Sequence, residues 1–438
     1  MRPLHAFART VDDASPDRDR YVDLLRLVTI GVAVLGRWLA TVVVPDAQHR
    51  PVARSALAWL PWAAPLTWLF QLIPVFFVLT GYTNAALLVG DLRNGRDLAS
   101  WLRGRGARLV PTATVMLLVF SGSALAATLA GADPVVARAT VRTVAAPLWF
   151  FGVYLILVLL TPVMYRLHKG FGVRVMVVLV LLVGLGDAAR FGGEPALGAG
   201  NYLFGWLAIH QVGFFWYDGR LRFGRRASLA LLGGGFAVVV LLTVAGPYPV
   251  AMIGVPEPPV NVWPPSLALL ALTAGYLGLF LLPREPAERW LHRRRPWRVV
   301  ISVNAVALTI FLWQTATVAL AAAPLWTVHA LPGPPVDSWQ WWAWRVPWLL
   351  LLTVTMAVLV AVFGPVELRP RGRDSPHPRA SARLRLPLAV LGFLATIAGL
   401  MVNSFTPAES PEPLGIPTAA LAMFLSGALL LRVLRRLG

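Results

Sequence analysis

The 438-residue chain has no cysteine, a single lysine (Lys169) and few charged residues of any kind, 13% in all. Without thiols there is no disulfide, no thiolate metal site and no cysteine nucleophile. The scarcity of charge is equally restrictive. With 57% hydrophobic residues and a mean hydropathy of +0.67, the chain lacks the polar surface a water-soluble domain needs, and it reads as a polytopic membrane protein. What charge there is comes from arginine, which carries nearly all of the formal net charge of +19.

Apolar runs fall near 21–44, 66–90, 108–130, 146–165, 173–186, 201–217, 227–245, 266–283, 299–321, 346–364, 386–403 and 416–434, twelve candidate helices of which the fifth and sixth are short. With the N-terminus placed inside, the outer connections hold only Arg50, Arg54, Arg138, Arg142, Arg190 and Arg345. Apart from Arg26 and Arg37, every other basic residue falls on the inner side. That asymmetry predicts cytoplasmic termini in a cell membrane, and it explains the net charge without a nucleic-acid partner. The run after the first twenty residues is too long and too charged for a signal-peptide core, so the first helix is expected to stay uncleaved. The sequence shows no internal repeat and no second soluble domain. It divides into an N-terminal tail (1–20), a membrane core (21–364), a basic Pro/Arg-rich linker at the lipid surface (365–385) and a C-terminal helix pair (386–438).

The first run carries charge at a depth where charge is costly. Asp23 and Arg26 lie three apart, and Arg37 follows Arg26 by eleven positions, which on a helix returns to nearly the same face about three turns on. Either arginine could snorkel to its own interface, but snorkelling gives no reason for a shared face. The outer segments have a different character. Residues 247–265 hold seven prolines and no basic residue, the pattern of an extended loop. Trp339-Gln-Trp-Trp-Ala-Trp-Arg-Val-Pro-Trp348 fits an interfacial aromatic belt or a platform on which a sugar ring stacks, and its position relative to a cavity separates the two.

These motifs, in order, resemble a large bacterial family of integral-membrane acyltransferases, the acyltransferase type three family. Its first helix opens with an Asp, an Arg three positions on and a His eleven after that, and Asp23, Arg26 and Arg37 occupy those positions. Pro74-Val-Phe-Phe-Val-Leu-Thr-Gly-Tyr82 is similar to the second-helix signature, and Arg105-Gly-Ala-Arg108-Leu-Val-Pro111 to the paired arginines before the third helix. Pro147-Leu-Trp-Phe-Phe-Gly-Val-Tyr154, Asn201-Tyr-Leu-Phe-Gly-Trp-Leu-Ala-Ile-His-Gln-Val-Gly213 and Met252-Ile-Gly-Val-Pro256 resemble an actinobacterial-type branch. Asn304-Ala-Val-Ala-Leu-Thr-Ile-Phe-Leu-Trp-Gln314 resembles a ninth helix that commonly ends Leu-Trp-His.

The resemblance implies an all-α membrane fold with a ten-helix core plus two helices. It implies transfer of a short acyl group, of acetyl type, from acyl-coenzyme A to a hydroxyl of a glycan, lipid or natural product, with membrane lipids as surroundings and no metal. Arg26 would steady donor phosphate or developing negative charge. Arg105 and Arg108 would grip coenzyme A phosphates, for which guanidinium forks are suited, although positive-inside bias alone also accounts for them. Tyr82, Asn304 and Gln314 would line the substrate. Arg37 and Gln314 depart from the family's histidines, and an arginine cannot lose a proton near neutral pH to act as a base. His210 is the clearest intramembrane imidazole left to do so, its alternative being one interhelical hydrogen bond. A catalytically silent homologue that binds a lipid-linked glycan or partner enzyme, and a secondary transporter, remain as other readings, the latter without the paired half-repeats carriers often show.

Overall fold

The computed structural model describes residues 19–221, 224–254, 260–368, 382–407, 410, 412 and 414–437. It is 79% helical. In chain order the longer helices are α1 (Arg20–Ala40), α2 (Ile73–Arg93), α3 (Leu98–Leu129), α4 (Pro134–Ala145), α5 (Leu148–Phe171), α6 (Val173–Phe191), α7 (Asn201–Tyr217) and α8 (Arg225–Val244). They continue with α9 (Leu267–Leu281), α10 (Arg284–Leu291), α11 (Arg294–Asn304), α12 (Ala307–Thr327), α13 (Trp339–Leu368), α14 (Ala382–Phe405) and α15 (Thr418–Leu437). All twelve apolar runs correspond to helices. Among the described residues, eight helical stretches are long and apolar enough to cross a membrane, and α9 with α10, bent by 57°, makes a ninth. The runs behind α1, α6 and α7 fall outside that number for a physical reason: α1 and α6 carry three or more charges, and α7 is only 17 residues long.

The structure corrects several boundaries. The first helix was expected to run to residue 44, yet it stops at Ala40 and Thr41–Pro45 becomes β1, paired antiparallel with β2 (Pro51–Ser55). Three consecutive valines before a proline favour extended backbone over helix. The run at 299–321 is also broken, between Asn304 and Ala307. There the Glu367 carboxylate, supplied by α13, accepts from the backbone N–H groups of Leu308 (3.2 Å) and Thr309 (2.9 Å) and from the Thr309 hydroxyl (2.8 Å), capping the free first turn of α12. The expected linker at 365–385 shortens at both ends, because α13 continues to Leu368 and α14 starts at Ala382; its Pro/Arg-rich centre, like most of the N-terminal tail and Pro256, Pro258 and Pro259 of the outer loop, lies outside the described residues.

The chain packs into two compact units, each drawn from separate stretches of the sequence. One contains the described residues up to Gly36, Leu57–Val89 and Leu160–Ala305, and the other Arg37–Ala56, Gly90–Leu159 and the described residues from Val306 on. In the first unit α2 and α7 cross with their backbones nearly touching. A methyl group on Gly81 would lie 2.1 Å from the His210 carbonyl oxygen, and one on Gly213 would lie 2.1 Å from that of Val78. Small residues allow this approach, which suits association inside lipid, where helices gain little from hiding apolar surface. A second tie is polar. Asp187, 1% exposed on α6, accepts from Tyr248 Oη (2.9 Å), the Leu267 N–H at the start of α9 (2.8 Å) and Asn201 Nδ2 at the start of α7 (3.1 Å).

In the second unit α14 and α15 pack closely on each other and against α3. Phe393 of α14 and Leu431 of α15 sit within 3.3 and 3.4 Å of where a methyl on Gly106 would be. Trp313 of α12 stacks on Phe363 of α13 with ring centroids 3.9 Å apart.

Gly81→Ala is expected to cost more than the ~1 to 3 kcal/mol typical of overpacking, since backbone must move, and to abolish the monodisperse peak in size-exclusion chromatography. Gly122→Ala, in α3 with open space around it, should be neutral or stabilising by up to about 1 kcal/mol. Equal yields of both variants would contradict the close α2–α7 crossing.

Candidate functional site

The start of α1 is fixed by Asp19, whose carboxylate accepts from the N–H groups of Tyr21 (3.0 Å) and Val22 (3.1 Å) and from the Arg284 guanidinium (3.2 Å). Burial pushes the Asp19 carboxyl up, against the pull of the Val22 amide and the Arg284 charge. One turn further on, Arg26 donates through NH1 to Asp23 Oδ1 (3.4 Å) and through NH2 to Thr83 Oγ1 of α2 (2.6 Å). The Thr83 hydroxyl donates in turn to the Leu79 carbonyl, which leaves its lone pairs for the arginine. Asn304, at the end of α11, donates to the Asp23 carbonyl (2.8 Å) and the Val300 carbonyl (3.0 Å), while its own oxygen is buried without a hydrogen-bond partner. An arginine, a carboxylate and an unsatisfied amide acceptor thus meet at one turn of α1. Such a set can hold an anionic group and accept one further N–H or O–H.

Aromatic side chains extend this cluster. The Tyr82 ring meets the edges of Trp216 and Tyr217, and the Arg284 guanidinium lies 5.7 Å over Trp216. Next to Tyr217, Asp218 collects Tyr165 Oη (3.2 Å), His168 Nε2 (3.2 Å) and Lys169 Nζ (3.1 Å), and the other ring nitrogen of His168 faces the Gln211 amide (2.9 Å). With Gln211 Nε2 donating to Nδ1, His168 carries its proton on Nε2 and gives it to Asp218. Burial alone would raise the Asp218 carboxyl, but Lys169 and His168 outweigh it and hold it below the ordinary value. This carboxylate–imidazole pair is invisible to motif reading, because His168 and Asp218 are 50 positions apart. The one available sign is that each ends an apolar run with a charge or imidazole.

The residues proposed from sequence divide between the units. Arg26, Tyr82, His210 and Asn304 belong to the first, and Arg37, Arg105, Arg108 and Gln314 to the second. His210 is 1% exposed, with Nε2 3.2 Å from Asn84 Nδ2 and its ring edge-on to Phe214. Arg105 is buried and donates to Tyr154 Oη (3.0 Å). Arg108 is exposed, and its charge acts on Glu367. Gln314 turns its amide back to the Phe311 carbonyl (2.9 Å), while its own carbonyl accepts from the Trp38 indole (3.0 Å). That bond places Arg37, next in sequence to Trp38, on the element tied to Gln314. Arg37 is exposed and makes no side-chain hydrogen bond or ion pair among the described residues.

The tryptophan-rich start of α13 separates by face. Trp341 and Trp348 are buried, whereas Trp339 and Trp344 line an open groove of about 530 Å³ with Pro332, Pro334 and Pro347. Among the described residues no cluster of three or more His, Asp or Glu is placed to hold a metal ion.

Stacked apolar helices with arginines held inside them define a multi-pass membrane protein. A family model described as an acyltransferase domain matches residues 19–364, and the chain belongs to that family. Searches of curated proteins and of solved structures find no match.

Because the Asp218 carboxylate is held low, the stability it contributes is present above its unfolded value near pH ~4 and fades as pH falls through its lowered folded value. Asp218→Asn should lower the thermal unfolding midpoint in detergent by a few degrees at pH 7, with the gap closing toward pH 3. A gap that widened on acidification would contradict this assignment.

Proposed function

We propose that the chain is a cell-membrane O-acyltransferase-like protein that moves a short acyl group, of acetyl type, from acyl-coenzyme A to a hydroxyl of a glycan, lipid or natural product. The observation that carries the reading is the Asp23–Arg26 couple, gathered with Thr83 and the open Asn304 acceptor, in a chain whose family is one of acyltransferases. In this reading both termini are cytoplasmic, twelve helices cross the bilayer, and the branch is the actinobacterial type. Coenzyme A phosphates are gripped by Arg105 and Arg108 from the inner face.

The acceptor hydroxyl must lose a proton as it attacks the thioester carbonyl. Arg37 stands where the family usually has histidine and cannot take that proton. His210 is the candidate base, and donation from Asn84 to Nε2 supports the tautomer with the proton on Nδ1 and the basic lone pair on Nε2, where the acceptor hydroxyl would have to displace Asn84. Its burial makes it a slow base at best, so the parent is expected to be weakly active, or silent and retained for binding.

Membranes expressing the parent should incorporate labelled acetyl into glycans or lipids weakly. Arg37→His should raise incorporation by about 10² to 10⁴, with the gain growing as pH rises through roughly 6 to 7. His210→Ala should remove what transfer the parent shows. Strong parental transfer that survives His210→Ala and is lost in Arg37→His would overturn the assignment of the base. Replacing both Arg105 and Arg108 with Ala should weaken acyl-coenzyme A binding by ~1 to 3 kcal/mol per lost bond, measured in nanodiscs. Unchanged binding would reduce both to topology signals.

A further inference from the structure

The short helices α10 and α11 are tied to α1 on one side and basic on the other. Only Leu282 and Pro283 separate α10 from α9, with a 57° bend, and only Ala305 and Val306 separate α11 from α12. Both flanking helices are apolar, so connections this short keep the pair at the boundary of the hydrocarbon layer. Arg284, Glu285, Glu288 and Arg289 in the eight residues of α10 keep that helix out of it. The inward stripe of α11, Trp297, Val300 and Ile301, joins Leu291 of α10 in a buried cluster against Leu24 and Leu27 of α1. Arg20 donates to the Leu291 carbonyl (3.1 Å) and lies 4.8 Å over the Trp297 ring, and Asn304 reaches the Asp23 carbonyl.

The outward side is cationic. Arg289, Arg293, Arg294, Arg295 and Arg298 are all exposed, and none of their side chains makes a hydrogen bond or ion pair among the described residues. The acids of the two helices are Glu285 and Glu288, and Glu288 is bound to Arg284 at 2.8 Å, which leaves one carboxylate against five guanidinium groups. Three of the five open α11, whose first turn holds no acid. Arginines there add to the positive end of the helix dipole, an arrangement that nearby anions stabilise. The same exposed side carries large apolar groups, Trp290 at 44% exposure and Val299 at 60%. Arginine mixed with exposed tryptophan and aliphatic side chains is the composition of a helix lying in the headgroup layer, whereas a soluble phosphate has no use for Trp290 or Val299.

We infer that α10 and α11 form a docking surface for the anionic phospholipids of the bilayer. The five arginines bind headgroup phosphates, whose oxygens their planar forks match two at a time, and Trp290 and Val299 enter the acyl boundary beside them. Because the buried side of the same pair holds Arg20 and Asp23, lipid on the outward side braces the turn of α1 that carries Arg26. The surface stands whether or not the chain transfers acyl groups, since it binds lipid and breaks no bond.

The test exploits the absence of cysteine: His292→Cys, at an exposed position between the arginines, gives the full chain one site for an environment-sensitive fluorophore. The labelled protein is placed in phosphatidylcholine nanodiscs with a rising fraction of phosphatidylglycerol. It is compared with the same protein carrying Arg294→Gln, Arg295→Gln and Arg298→Gln, and with an equal-charge control carrying Arg432→Gln, Arg435→Gln and Arg436→Gln at the exposed end of α15. Phosphatidylglycerol should shift the label's emission to the blue in the parent and the control. The fraction needed for half the shift should rise about threefold or more in the α11 triple variant. Raising salt from about 0.1 to about 0.5 M should reverse the parent's shift with no mutation at all. Parent and triple variant responding alike, or the control losing as much as the triple variant, would overturn the inference. So would an equal shift produced by pyrophosphate in pure phosphatidylcholine discs, which would assign the arginines to a soluble phosphate.

Discussion

A guanidinium inside an apolar helix bundle needs acceptors, because its charge is never lost and the surroundings cannot solvate it. Much of this structure follows from how that need is met. Arg26 takes Asp23 and a threonine hydroxyl, Arg190 takes Asp187, Arg105 takes a tyrosine, and Arg142 takes the Thr406 carbonyl. The first, third and fourth of these each tie two elements together: α1 to α2, α3 to α5, and α4 to the segment after α14. Packing then completes what the arginines begin, with glycine where α2 and α7 touch and aromatic rings where α12 meets α13.

The same need separates two kinds of arginine. Those with acids or carbonyls of their own are committed to the fold, and their replacement would leave partners stranded. Those without are available for chemistry or binding. Arg37 and Gln314 are linked through Trp38, so the two positions belong to the same neighbourhood of the second unit.

The helical membrane class was legible in the sequence because hydropathy and arginine asymmetry act over whole segments. The Asp23–Arg26 couple was legible as well, since a three-residue spacing on a helix is a local fact. The partners were not. Thr83 and Asn304 reach Arg26 and Asp23 across gaps of 57 and 281 positions, and no local pattern encodes such contacts. Helix ends were misjudged for related reasons. The strand at Thr41–Pro45 continues an apolar run without a polar break, and the start of α12 is capped by Glu367 from another helix, so no capping residue stands beside it in sequence.

The family match ends at Gly364, and α14 and α15 lie beyond it, yet Phe393 and Leu431 lie against α3 at Gly106, beside the buried Arg105. The chain therefore brings its own neighbours to a face of α3 that would otherwise be solvated by whatever lipids happen to surround it. Protein of fixed composition has a fixed polarisability and thickness, whereas a bilayer changes both with temperature and growth. The electrostatic setting of Arg105 is in this way insulated from the membrane that contains it, and a host could remodel its lipids without retuning that end of the protein.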